Sequence, residues 1–225
     1  VKLTAANVRK SHERLSAFYG RLPERRKLEP LDSLIQTILS QNTSDANSGR
    51  AFASLKRAFP DWNSVEQAPE GAIASAIRSG GLAKTKSKTI KGVLGQLRTA
   101  HGAPTLECLH AMNNDDAMAY LMSLKGVGVK TAACVLMFSL NRPVFPVDTH
   151  VYRVTNRLGW LPSNVKAPQA TRYLQPSIPD EIVLSLHLYL VMHGRQICKA
   201  RRPFCSRCPL RQTCHTFREK AIESR

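Results

Sequence analysis

The sequence is short of acid. Its 33 Lys and Arg residues face 16 Asp and Glu, a formal net charge of +17. The lysines and arginines are spread along the chain and form no block that would explain the excess. A spread excess of this size fits a polyanionic partner, most often nucleic acid, over the plainer reading of a merely basic soluble protein. Long apolar runs are also missing. None approaches the ~20 residues that a membrane span requires. No apolar N-terminal segment leads to a small-residue cleavage site. The chain opens on Val1 without an initiator methionine, which points to trimming. Strand-like alternation is scarce, and there is no internal repeat and no low-complexity block. What remains is an ordinary 43% of hydrophobic residues over 225 positions. That suffices for one large domain or two small ones with real cores.

The apolar residues recur at helical spacing along most of the chain. Thr4 is placed to cap a first helix that buries Val8, Leu15 and Tyr19 and stops at Gly20. The charged, proline-bounded stretch 21–30 reads as a linker. Asp32 is expected to cap a helix carrying Leu34, Ile35, Ile38 and Leu39. The polar break Ser40-Gln41-Asn42-Thr43-Ser44-Asp45 separates it from a third helix. Asn63 with Glu66 reads as a capping box. A short helix with Ile73 and Ile77 ends at Gly80-Gly81, and Leu82 follows in the loop. A helix over 85–99 presents Ile90, Val93, Leu94 and Leu97 on one face, with Lys84, Lys86, Lys88 and Lys91 around its start. Asn114 is read as the cap of the next helix. After Asp148 a helix runs to Gly159. A proline-rich connection then leads to a long, nearly all-apolar helix capped by Asp180, and residues 217–225 read as a charged tail. The expected division is a helical domain over 23–142 and a second one closed by 1–22 and 143–225.

Between two apolar helices lies Gly126-Val127-Gly128, followed by Lys130. Glycines let a backbone approach a phosphate and turn its N–H groups toward it. A helix opening at the same place adds its positive end. Such a hairpin grips nucleic acid without reading sequence. Lys130 is then either a phosphate contact or a nucleophile. A nucleophilic amine needs its lone pair free, which a helix N-terminus, partial burial and cationic neighbours favour. Asp148, in Pro-Val-Asp-Thr-His, is placed to cap the helix beginning near Thr149. A capping carboxylate can still turn one oxygen into a cleft.

Four of the six cysteines, Cys198, Cys205, Cys208 and Cys214, fall in the pattern C-x6-C-x2-C-x5-C. This usage argues for metal ligation in a reducing compartment, the cytoplasm, over a disulfide scaffold. Zinc sites more often pair two Cys-x-x-Cys units. Thiolate ligation of a four-iron cluster is open to the same spacing. Between the first two cysteines, Lys199, Arg201 and Arg202 stand on a short loop suited to phosphates, or simply form a solvated basic turn.

Taken together, GVGVKTA, the Pro-Val-Asp-Thr-His segment and the C-terminal cysteines resemble the helix-hairpin-helix DNA glycosylases with a Gly/Pro-rich loop and an aspartate. Within them they resemble the iron–sulfur, endonuclease III branch most. The resemblance runs from about Leu31 to Cys214. It implies an all-α fold: a six-helix barrel domain with the helix-hairpin-helix, plus a second helical domain from both termini carrying a [4Fe-4S] cluster on the four cysteines. It implies a monomer working on duplex DNA with damaged bases or abasic sites, with no membrane partner. Lys130 and Asp148 would face each other across the cleft between the domains. The implied activity is removal of oxidised pyrimidines, with an AP lyase step through a lysine Schiff base. The competing readings are a monofunctional or mismatch-directed glycosylase and a non-catalytic iron–sulfur DNA-binding or redox-sensing protein. The family fills the hole left by a flipped nucleotide from two loops, which correspond here to Gln41 and Asn42 and to Leu82. Where that branch usually has glutamine, this chain has Asn42, one place after Gln41. The plainer reading of that pair is an ordinary polar helix end.

Overall fold

The computed structural model describes residues 3–25 and 27–223. Among them the regular structure is twelve α-helices with short 3-10 turns and no strand, so the all-α expectation holds. In chain order these are α1 (Ala5–Tyr19), α2 (Pro30–Ser40), α3 (Asp45–Ala58), α4 (Trp62–Gln67), α5 (Glu70–Ala76) and α6 (Ala83–His101). They continue as α7 (Asn114–Ser123), α8 (Val129–Leu140), α9 (Thr149–Leu158), α10 (Ala167–Leu174), α11 (Val183–Gln196) and α12 (His215–Glu223). No helix among the described residues is long and apolar enough to cross a membrane. The chain divides into two compact units, Lys27–Arg142 and the combination of Val1–Arg26 with Pro143–Arg225.

The first unit is organised around α8. Its residues are apolar nearly all round, which suits a helix buried on every side. Ala132, Ala133, Val135 and Leu136 are fully buried. They pack between α2 and α7. Leu34, Ile35, Ile38 and Leu39 line the inner face of α2, and Ile90, Val93, Leu94 and Leu97 that of α6. Each such side chain contributes about 1.5–3 kcal/mol by leaving water. The helix starts of this unit differ from the sequence expectations in three places. Asp32 does not cap α2, which begins on Glu29 with Pro30 in its first turn. Its carboxylate is taken instead by Trp62 Nε1 at 2.8 Å and Lys56 Nζ at 3.3 Å. Asn63 and Glu66 form no capping box, because the Arg98 guanidinium holds both from α6. Asp61 caps α4 in their place. Asn113, not Asn114, caps α7. In the first two cases a distant partner outcompetes the local backbone for the side chain.

In the second unit α9 packs on α11, and α1 lies along α11. Thr4 caps α1 and Gly20 ends it at φ 72°. Tyr189 donates to Gly20 O at 2.8 Å, and His12 Nε2 bonds Ser185 Oγ at 2.8 Å. Arg9 and Glu181 form an ion pair. Residues 180–182 are a 3-10 turn, so Asp180 stands one turn ahead of α11 instead of capping it. Where a tail was expected, α12 forms over His215–Glu223 and packs on α9. Residues 224–225 of the expected tail lie outside the described residues.

Candidate nucleic-acid interface and catalytic residues

The hairpin joins α7 to α8. Gly126 has φ 90°, and a Cβ there would come within 2.7 Å of Thr89 Cγ2. Both the dihedral and the close approach therefore demand glycine. Val127 is buried and anchors the turn, with its N–H donating to Leu124 O at 3.0 Å. The Lys125 N–H donates to Gln96 Oε1 at 2.8 Å, which seats the hairpin on α6. Gly128 is the N-cap of α8 and offers no side chain to its first amides. Those amides stay open at the positive end of the helix. Lys130 is the second residue of α8 and is half-buried. Its ammonium has no ion pair or hydrogen bond among the described residues.

Two other loops of the same unit carry further expected DNA contacts. Gln41 and Asn42 are exposed between α2 and α3. Leu82 is 57% exposed just before α6. Asn42 and Leu82 have φ of 52° and 49°, left-handed values for residues with a Cβ. Such backbone strain costs on the order of 1–3 kcal/mol, more for leucine than for asparagine, and concentrates at functional sites. Behind both loops lies Lys86. It is one of the four lysines around the start of its helix and is 3% exposed. Its Nζ donates to Leu39 O at 2.7 Å and Gly80 O at 2.8 Å, and burial pushes its pKa down.

In the second unit, Asp148 is the N-cap of α9. Its Oδ1 accepts from both the His150 and Val151 N–H groups at 2.8 Å. One oxygen does all of that capping, which leaves Oδ2 without a hydrogen bond among the described residues. The same helix then reaches the cysteine segment through residues that the sequence reading passed over. Arg153 Nη2 lies 3.0 Å from His150 Nδ1 and donates to Gly194 O at 2.7 Å, while Nε donates to Cys198 O at 2.9 Å. Arg157 donates to Lys199 O at 2.7 Å, Ala200 O at 3.0 Å and Cys198 Sγ at 3.4 Å. A Cβ at Gly194 would meet His150 Cβ at 2.8 Å, so glycine there lets α11 close on α9. The signal for these arginines was their i, i+4 spacing, which sets both on one face of an amphipathic helix.

The four cysteines surround one cavity of about 300 Å³, shared with Arg157, Arg202, Arg211 and Phe217. All four are free thiols and half-buried. Burial raises the Cys208 thiol to about 11, and the neighbouring Cys198, Cys214 and Cys205 sulfurs push it the same way. Burial also raises Cys214. Four sulfur donors lining one cavity fit a thiophilic metal group, which would hold them as thiolates. No three His, Cys, Asp or Glu side chains among the described residues converge as the ligands of a single ion. Cys208 Sγ also lies 3.4 Å from His193 Nε2, whose other ring nitrogen is 3.0 Å from Tyr19 Oη. Burial lowers His193 to about 4 and raises Tyr19 to about 12, so both are neutral. On the loop between the first two cysteines, Lys199, Arg201 and Arg202 are all exposed. Lys199 Nζ sits 4.8 Å over the Phe204 ring.

Comparison with known proteins bears on this arrangement. A protein of Arabidopsis thaliana carried under a provisional DNA-glycosylase name is 42% identical over 79% of this chain, which spans only 58% of that protein's length. Endonuclease III of Sulfolobus acidocaldarius is 33% identical, and the match covers 82% of this chain and 81% of that protein. A solved structure of endonuclease III trapped as a covalent intermediate on DNA superimposes with a TM-score of 0.81 at 27% identity, covering 97% of this chain and 99% of that one. The family model for the HhH-GPD superfamily matches residues 35–179, spanning the hairpin, Lys130 and Asp148. On these grounds the chain belongs to the HhH-GPD superfamily of base excision DNA repair proteins.

Proposed function

We propose that this chain is a DNA glycosylase that removes oxidised pyrimidines from duplex DNA and then cuts the strand by a lyase step through Lys130. The observation that carries the reading is the Lys130 ammonium. It is unpaired among the described residues, at the open end of α8, beside a glycine hairpin whose free amides suit a phosphate. A binding module needs the hairpin and the basic loop, but has no use for a lysine and an aspartate at positions 130 and 148. The likeness to endonuclease III caught covalently on DNA supports the same reading.

The chemistry follows from general principles. The glycosidic bond of a stacked base is out of reach, so the nucleotide is turned out of the helix. Gln41, Asn42 and Leu82 occupy the space it leaves. The Lys130 amine attacks the sugar C1′ while the base departs with the bonding electron pair. Asp148 Oδ2 stabilises the positive charge that develops on the sugar and takes a proton from the lysine. The C1′–O4′ bond then breaks, O4′ takes up a proton, and the opened sugar is left as a lysine Schiff base that acidifies the C2′ proton. Its removal expels the 3′ phosphate by β-elimination, and water then releases the lysine. Gly126, Val127 and Gly128 grip the backbone, with Lys199, Arg201 and Arg202 as further phosphate contacts. Cys198, Cys205, Cys208 and Cys214 would hold a [4Fe-4S] cluster that pins the basic loop in shape.

Borohydride added during reaction with a duplex carrying an oxidised pyrimidine is expected to trap a covalent complex. Lys130→Ala should abolish both trapping and cleavage. Strand cleavage unchanged in that variant removes Lys130 from the mechanism. Base release without trapping in the native protein favours a monofunctional enzyme instead.

A further inference from the structure

Lys86 is a cation buried without a carboxylate. Among the described residues only main-chain carbonyls receive it, at Leu39 and Gly80, 2.7 and 2.8 Å away. Burying a charge is unfavourable, and an apolar side chain would fill the same space more easily. What the ammonium supplies is a pair of directed bonds between two segments far apart in sequence. Leu39 stands two residues before Gln41, and Gly80 two residues before Leu82. Past each anchored carbonyl the chain turns into a left-handed conformation, at Asn42 with φ 52° and at Leu82 with φ 49°. Strained dihedrals of this kind persist only where the surroundings fix them. Gly80 is pressed from the other side as well, since a Cβ there would lie 3.1 Å from Ala51 Cβ on α3. The helix that carries Lys86 also seats the hairpin, through Thr89 against Gly126 and Gln96 on the Lys125 N–H. One face of α6 thus supports all three loops.

We propose that Lys86 is a positioning residue that sets the distance between the Gln41–Asn42 loop and Leu82, so that both enter the duplex at a single nucleotide step. This rests on the glycosylase reading above. The side chain touches no reacting atom. It acts on how well the protein tells a helix with a missing base from an intact one, and leaves the hairpin's general hold on the backbone alone.

The test compares binding of the full-length chain to a duplex with a tetrahydrofuran abasic analogue and to the same duplex undamaged. A 2-aminopurine opposite the analogue reports on stacking. In Lys86→Met, discrimination between the duplexes should fall about tenfold, with affinity for undamaged DNA unchanged within about twofold. Leu82→Ala should lower discrimination too, and the double variant should lose little more, because the two residues act as one device. Lys86→Gln is a gentler variant, useful if the methionine form does not fold. Its amide is one atom shorter and reaches one carbonyl, so about a threefold loss is expected, with the same non-additivity. Full additivity with Leu82→Ala, an equal loss on both duplexes, or unchanged discrimination in both Lys86 variants overturns the proposal. A native protein with no preference for the abasic duplex sinks the glycosylase reading itself, and the proposal with it. A native preference that both Lys86 variants keep sinks the proposal alone.

Discussion

Asparagine and alanine at position 148 separate two tasks assigned to one carboxylate. Asp148 Oδ1 accepts both the His150 and Val151 N–H groups at 2.8 Å, which is the cap of α9. Asparagine is as good an N-cap as aspartate, so Asp148→Asn keeps those bonds and should change stability by less than about 0.5 kcal/mol. Alanine keeps neither and should lose about 1 kcal/mol, the usual value for a cap. In a chain of this size that loss lowers the melting temperature by roughly 2–4 °C. Activity should follow a different order. The proposed role needs a negative oxygen that can take a proton, and asparagine has none. Both variants should therefore lose base excision by about a hundredfold or more in single turnover. Thermal melts by circular dichroism, beside single-turnover excision on a defined lesion duplex, read the two effects independently. If Asp148→Asn excises at the native rate, the residue is a helix cap only. If it melts as low as Asp148→Ala, capping here depends on charge and the geometric reasoning fails.

Ser139, fully buried on α8 with a hydroxyl that has no partner among the described residues, is a site where removing an atom should help. Ser139→Ala should raise stability by about 1 kcal/mol in chemical denaturation, and a loss of similar size would reveal a partner for Oγ. Arg157 holds Lys199 O, Ala200 O and Cys198 Sγ. Arg157→Met should ease local opening of that loop by about 2 kcal/mol, seen as roughly 30-fold faster hydrogen exchange at residues 199–202. Unchanged exchange would mean that the cysteines alone fix the loop. Removal of Lys199 or of Arg201 should each reduce the slope of log affinity against log salt by about 0.9 on duplex DNA, and an unaltered slope would make that side chain a bystander.

The features legible in the sequence were those whose partners are close in the chain. The glycine hairpin, its following lysine and the cysteine spacing each lie within one short stretch, and the period of the apolar residues carried the all-helical class. Four differences lie where a polar side chain has a remote partner. Asp32 had the composition of a cap but serves Trp62 and Lys56. Asn63 and Glu66 matched a capping box but belong to Arg98. Lys86 is one of four lysines around the start of α6 and is set apart by its burial on two carbonyls, those of Leu39 and Gly80, which its own stretch does not announce. Arg153 and Arg157 were hidden for the same reason, since what they hold begins at Gly194, some forty residues on. Patterns in sequence report on local competition for hydrogen bonds and on burial period, and long-range ligation of a charged group leaves neither mark.

The pairing of α1 with α11 bears on how the chain is made. Tyr189 must reach Gly20 across 169 positions, and His12 must reach Ser185 across 173. At roughly 5–20 residues per second of synthesis, α1 waits roughly ten to thirty-five seconds for its partner to be made. During that interval Val8 and Leu15 have no core to enter, while Lys27–Arg142 is emerging as an uninterrupted stretch able to collapse by itself. The cell therefore meets this protein first as a finished half trailing an unsatisfied helix. It is in that window, before the last cysteine has been translated, that a chaperone or a neighbouring nascent chain would find an apolar stripe to hold.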